Sequence, residues 1–187
     1  MADFLTHFSI IPDPRVDRNK KYPLMEILFL CMAAGISGAE GWEEIEDFGE
    51  HRLEWLRQFL PYRRGIPRHD TIARVMSRLD TKVLQQCFIA WVQDVVVLSE
   101  RTVVAIDGKT VRRSFRDGDR KSAIHMVNAW ASENQVSLGQ LKVDGKTNEI
   151  KAIPELLSLL AVKGCIITID AMGCQTAIAE QIIGKKA

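Results

Sequence analysis

Two short runs of mostly β-branched residues, each closed by an aspartate, constrain this chain more than anything else in it. The first lies in Thr102 to Ser114, TVVAIDGKTVRRS, and the second in Cys165 to Gln175, CIITIDAMGCQ. Val103, Val104, Ala105 and Ile106 form a run of the kind buried on both faces of a sheet, as do Ile166, Ile167, Thr168 and Ile169. An aspartate ending such a strand stands at the rim of the sheet, where a side chain can reach a ligand or a metal ion. If the two strands lie side by side and parallel, Asp107 and Asp170 meet at one rim. Two carboxylates so placed repel each other unless a cation or a proton lies between them. Each aspartate alone has a plainer use, as the end of a strand or the cap of a turn.

The rest of the chain reads around these two strands. Residues 1–22, with Pro12, Pro14 and several charges, read as an irregular arm. From Pro23 the spacing of Leu24, Ile27, Leu28, Cys31 and Ala34 predicts a helix, ended by Gly35 and Gly38. Trp42 to Leu60 reads as a second helix, bent at Gly49, and Pro61 to Pro67 as a turn. Asp70 is expected to cap a short helix whose Ile72, Val75, Met76 and Leu79 form an apolar stripe. Its other face presents Arg74, Ser77 and Arg78, with Arg68 just ahead. A tight basic turn before a short helix with arginines outward suits a helix-turn-helix DNA reader. A helical hairpin with a solvated basic face fits the same residues. Lys82 to Leu98 is a further amphipathic helix.

Near Ser99 the period changes from helical to alternating, which divides the chain into an arm (1–22), a helical domain (23–99) and a sheet domain (100–187). Strands are expected at 102–111, 123–132 and 136–143, joined by turns at 116–120 and at Glu133 and Asn134. These short connections make antiparallel neighbours. A helix from Ile153, with Pro154 in its first turn, a strand ending at Asp170 and a helix from Gly173 complete the order. A strand–helix–strand crossover returns parallel, so the fourth strand can lie beside the first with both aspartates at one end. The fold class is therefore α+β or α/β: an all-α domain followed by an incomplete ribonuclease-H-like mixed sheet.

Charge matters through its distribution, since the formal net charge of the 187 residues is only +1. Glu40 to Glu50 holds six acids and no base, while Arg52 to Arg78 holds seven arginines against Glu54 and Asp70. Cys31, Cys87, Cys165 and Cys174 make no zinc-type spacing and sit in apolar runs, as in a reducing cytoplasm. The most apolar stretch, Leu24 to Ile36, contains Glu26 and is too short to span a bilayer. Pro12 to Arg15 make a poor signal peptide. A cytoplasmic protein with no membrane partner is expected.

AIDGKTVRRS, the TNEIKAIPELL run from Thr147 and TIDAMGCQTAIAEQI from Thr168 resemble the H-repeat-associated transposases, insertion-sequence proteins of the DDE class. DPR…YPLMEILFLCMAAGISGAEGWEEIEDFG and GIPRHDTIARVMSRLD resemble the helical domain associated with that family. The resemblance covers nearly the whole chain. It implies a ribonuclease-H-like catalytic fold, Mg2+ or Mn2+ as cofactor, and DNA, both element ends and target, as substrate. Asp107 and Asp170 would match the first two acids of the catalytic triad. The third, a glutamate on a later helix, has no counterpart before Ala187, so the chain is expected to be a C-terminally truncated member that neither cleaves nor transposes DNA alone.

In this reading Asp107 and Asp170 bind the metals, Lys109, Arg112 and Arg113 neutralise phosphate, and Arg68, Arg74 and Arg78 contact DNA. The alternative is a catalytically dead DNA-binding remnant of such a transposase. A doubly wound phosphatase fits less well, because three consecutive antiparallel strands count against it. Gly108-Lys109-Thr110 and Gly145-Lys146-Thr147 are not P-loops, since Val103 and Gln140 stand where the leading glycine is needed. His125 reads as a structural histidine, Ser114 has no base nearby, and Glu149 is left unassigned. A homo-oligomer is left open.

Overall fold

The computed structural model describes residues 2–111, 114, 124–143, 149–171 and 173–187, in two compact units, Met1–Cys87 and Phe88–Ala187. The 116–120 turn expected from sequence lies outside the described residues. No described helix is long and apolar enough to cross a membrane.

The first unit is helical: α1 (Ala2–Phe8), α2 (Leu24–Ile36), α3 (Trp42–His51), α4 (Leu53–Leu56) and α5 (His69–Met76), with a 3-10 turn at Asp17–Asn19. α1 overturns the irregular arm. Seven residues make a marginal helix in isolation, so its support is tertiary. The Phe4 and Phe8 rings stack at 4.4 Å, and Phe4 meets Phe29 of α2 edge-on at 5.3 Å. Phe29 continues to Phe59, and Phe59 to Trp55 of α4 at 4.8 Å. The helix expected over Trp42 to Leu60 breaks at Arg52 rather than at Gly49. Gly49 serves close packing instead, because a Cβ there would lie 2.8 Å from Ile66 and 2.9 Å from Leu30.

A buried carboxylate anchors the 61–68 segment. Glu26 of α2 accepts the Tyr62 N–H on Oε1 at 2.8 Å, and the Tyr62 hydroxyl donates to the Glu26 carbonyl at 2.8 Å. Burial pushes the Glu26 carboxyl above the usual range. Tyr62 is fully buried at φ 42°, a left-handed conformation that a tyrosine adopts only when its surroundings hold it there. Tyr62→Phe removes one neutral hydrogen bond and is expected to lower unfolding free energy by about 1 kcal/mol, read from a urea titration.

α6 (Thr81–Val95) begins in the first unit and ends in the second. The Asp80 carboxylate accepts the N–H groups of Lys82 at 2.9 Å and Val83 at 3.3 Å, capping the helix start.

The second unit is built on a four-stranded sheet: β1 (Val103–Thr110), β2 (His125–Ala131), β3 (Val136–Val143) and β4 (Ile166–Ile169), in the order β3-β2-β1-β4. β1 pairs antiparallel with β2 and parallel with β4, as the crossover through α7 (Glu149–Leu159) requires. This mixed sheet with its helices is the α+β, ribonuclease-H-like fragment expected. α7 starts four residues before the Ile153 expected from sequence, leaving Pro154 inside the helix. Burial of Ile153, Leu156 and Leu157 offsets the lost hydrogen bond.

Val104, Ile106, Val127, Ala129 and Leu141 of the sheet form one core with α7, with Ile178 of α8 (Thr176–Gly184) and with Ile89 and Val92 of α6. Gly139 lets α6 approach β3, since a Cβ there would sit 3.0 Å from Ile89. Trp130 and Ile166 lie outside this core and remain 40% and 46% exposed.

Candidate functional site

β1 and β4 run parallel in the register Val103↔Ile166 to Ile106↔Ile169. Asp107 and Asp170 each follow the last of these pairs by one residue. They therefore occupy neighbouring positions where the parallel pairing stops, on strands about 4.8 Å apart. Both are exposed. β1 runs past Asp107 to Thr110, within the 102–111 strand expected from sequence, and Asp107 stands opposite Asn128 of β2. Only β4 stops at its aspartate. The antiparallel ladder to β2 supplies hydrogen bonds beyond the point where β4 ends.

Asp170 is held by the turn that follows it. The Gly173 N–H is shared between Asp170 Oδ1 at 2.9 Å and the Asp170 carbonyl at 3.1 Å. Beside it is a cleft of about 10 Å³, lined in part by Ile106 and Gly108 of β1 and by Ile150 and Ile153 of α7. That is about the smallest space that holds one water. Ile106 and Gly108 of β1 line this cleft, and Asp107 between them does not. Gly173 has no room for a side chain: a Cβ would overlap Ile169 and lie 2.9 Å from Ile153. Gly173→Ala is therefore expected to cost about 1–3 kcal/mol of stability by overpacking. The check is the unfolding midpoint in urea, together with the Asp170 resonance, which should move as the turn is displaced.

As a donor set, two carboxylates with no nitrogen or sulfur suit a hard cation that keeps most of its waters. Oδ1 of Asp170 accepts from Gly173, and Oδ2 has no hydrogen-bond partner among the described residues. Among the described residues no group of three His, Cys, Asp or Glu could hold a metal ion. The donor type thus fits Mg2+ or Mn2+, with few protein ligands.

The basic candidates fall into three groups. Lys109 is exposed on β1, two residues beyond Asp107 and on the same side of the strand. Arg112 and Arg113 lie outside the described residues. Arg74 and Arg78 are exposed and have no ion-pair partner among the described residues, whereas Arg68 is tethered to acids of α3.

That tether is Glu46. Its side chain is 7% exposed, and Oε1 accepts from Arg68 Nη1 at 2.6 Å. Oε2 accepts both the His69 main-chain N–H at 2.7 Å and His69 Nδ1 at 2.8 Å. Glu46 thereby caps α5 from another helix. Arg68, not Asp70, occupies the N-cap position, and it makes no side-chain cap bond of its own. The hydrogen bonds from the His69 main chain and ring hold the Glu46 carboxyl down at about 2. In return Glu46 raises the His69 imidazole above its ordinary value. His125, read as structural, is buried and paired across the ladder with Thr110 Oγ1 at 2.9 Å.

Residues 98–187 match a family model described as Transposase DDE domain, and residues 5–92 match one described as DDE_Tnp_1-associated. The chain belongs to the DDE transposase family. "Putative transposase YncI" of two Escherichia coli strains is 52% identical over all 187 residues, which cover 75% of one YncI sequence and 48% of the other. "H repeat-associated putative transposase YhhI" of Escherichia coli is 50% identical over 97% of this chain and 48% of its own length. The chain thus spans about half the length of several curated relatives it matches. No solved structure matches it.

In this DDE transposase-family chain the residue that sequence reasoning missed is Glu46. It sits in an acidic run that reads as a solvated surface, and its partners lie 22 and 23 residues away. Only its place on the buried side of α3, beside Ile45 and Gly49, sets it apart from Glu43, Glu44 and Glu50.

Proposed function

We propose that this chain carries part of a DDE transposase that moves an insertion element by metal-dependent cleavage and joining of DNA. The parallel register of β1 and β4, which makes Asp107 and Asp170 neighbours at one end of the sheet, carries this reading. Asp107 and Asp170 would hold the divalent cation, Mg2+ or Mn2+. The chemistry supplied by such a cation would be an activated water and a stabilised leaving oxygen of a phosphodiester. Lys109 neutralises phosphate near that rim, and Arg112 and Arg113 join it on sequence grounds. Arg68, Arg74 and Arg78 contact the DNA backbone from the helical domain, proposed to span 23–99, with the catalytic domain at 100–187. The cytoplasm, where bacterial DNA lies, is the proposed compartment, and the four cysteines are free.

The test is Mn2+ titration followed by NMR. Paramagnetic broadening centred on residues 106–108 and 169–171 supports the site, and broadening elsewhere with none there refutes it. A second reading, DNA binding without cleavage, is favoured by the lack of a three-acid group among the described residues. Plasmid nicking in Mn2+ tests the second reading: nicking abolished by Asp107→Asn rules it out.

A further inference from the structure

The Glu46 clamp leaves two cationic groups with one edge fixed and the other free. Arg68 spends Nη1 on Glu46, while its side chain is 77% exposed. A guanidinium carries five N–H donors in a rigid fork, so most of them face solvent. His69 is constrained more tightly. Its Nδ1 faces a carboxylate oxygen at 2.8 Å, and an ionised carboxylate only accepts, so Nδ1 carries the hydrogen. Nε2 is then the ring atom left over, a lone pair when the imidazole is neutral and an N–H donor when it is charged. Asp70 Oδ1 is 3.6 Å from Nε2, beyond hydrogen-bond reach, and its side chain is 85% exposed.

We infer that Glu46 presents Arg68 and His69 together as a seat for one backbone phosphate of duplex DNA, with His69 contributing only when its ring is charged. This rests on the reading that the helical domain contacts DNA. The immobilised guanidinium loses less freedom on gripping a phosphate than a free arginine does. Neither residue reads a base, so the seat adds affinity without sequence preference. The charged groups around His69 are Glu46 and Glu43 of α3 and the neighbouring Asp70, all of which favour the imidazolium. Arg68 is faced by Glu46, Glu50 and Tyr22. The sign follows: DNA affinity rises as pH falls through the folded value of His69, which Glu46 has moved upward.

The same linkage acts on stability. For His69, whose folded value is raised, the contribution is complete below the unfolded value near 6.5 and is lost as pH rises through the folded one. For Glu46, whose folded value is lowered, it is present above the unfolded value near 4.5 and is lost as pH falls towards 2.

The experiment uses the full chain and a fluorescein-labelled DNA duplex, with affinity read by anisotropy over a salt series. In the wild type the affinity at fixed salt should rise between about pH 8 and about pH 6, with little change in the log-affinity against log-salt slope, because His69 joins a phosphate that Arg68 already neutralises. H69Q, which keeps the main-chain bond to Glu46, should erase that rise. E46Q should weaken binding at both pH values and lower the pKa of His69, followed by NMR in the absence of DNA. Circular dichroism checks that E46Q is folded, and H69Q carries the test alone if it is not. A rise in affinity with falling pH that survives in H69Q overturns the inference. The R74A/R78A variant tests the underlying reading separately, with an expected slope loss of about 1.8 for two phosphates no longer neutralised. If R74A/R78A shows that loss while H69Q behaves as wild type, only the phosphate seat falls. If the wild type binds no duplex at any salt, both fall.

Discussion

Asp107→Asn and Asp170→Asn are each expected to abolish Mn2+ binding at the sheet rim while leaving the fold intact. Altering outer-shell partners of a metal typically costs about tenfold to a hundredfold in affinity, and a direct ligand in a site with so few of them should cost more. Both side chains are exposed, and neither packs into the core of the second unit. Substitution there should therefore leave the unfolding midpoint nearly unchanged, since surface changes usually stay within about 0.5 kcal/mol. Removing one of two neighbouring like charges should, if anything, raise it. Titration calorimetry with Mn2+, alongside urea unfolding, reads both outcomes. Asn keeps the size and one oxygen of the carboxylate, so a loss of binding isolates the charge. Binding unchanged in both variants would remove these aspartates from the site.

Leu156→Ala is expected to cost about 2–5 kcal/mol, the range for truncating a fully buried leucine. Leu156 is 0% exposed on α7, and its Cδ1 would lie 3.4 Å from a Cβ built on Gly139 of β3. It thus stands where α7 meets the sheet, with Ile89 of α6 packed against the same glycine. Little nearby can collapse into the gap, because Leu157, Ile153 and Val127 are already buried in the same core. The measurement is the urea midpoint of wild type and variant, with Leu156→Met as control. Leu156→Met conserves volume and should cost less than about 1.5 kcal/mol. Since Ile150 and Ile153 of α7 line the cleft beside Asp170, Leu156→Ala should also weaken Mn2+ binding. A variant that loses less than about 1 kcal/mol would contradict close packing between α7 and the sheet.

Periodicity and turn chemistry determined much of this protein by themselves. The helical spacing from Leu24, the stripe from Ile72 to Leu79 and the two β-branched runs each depend on neighbours within a few residues. One tight turn, one longer connection and one helical crossover then admit few topologies, which is why the antiparallel β1–β2–β3 run and the parallel return of β4 beside β1 were legible. With that return comes the juxtaposition of Asp107 and Asp170.

Tertiary structure decided what depends on distant partners. The α1 helix exists because Phe4 and Phe8 have Phe29 to pack on, not because seven residues favour helix. Gly49 and Gly173 are glycines because Ile66 and Ile169 come too close for a side chain, although the chain reads as a bend at one and a helix start at the other. Arg68 and His69 are organised by Glu46, and the α5 cap passes from Asp70 to a carboxylate on α3. Local pattern reports which face of a helix is apolar. It cannot report which buried carboxylate, two dozen residues away, will find the open N–H groups at a helix start, because that choice is made only when the helices pack.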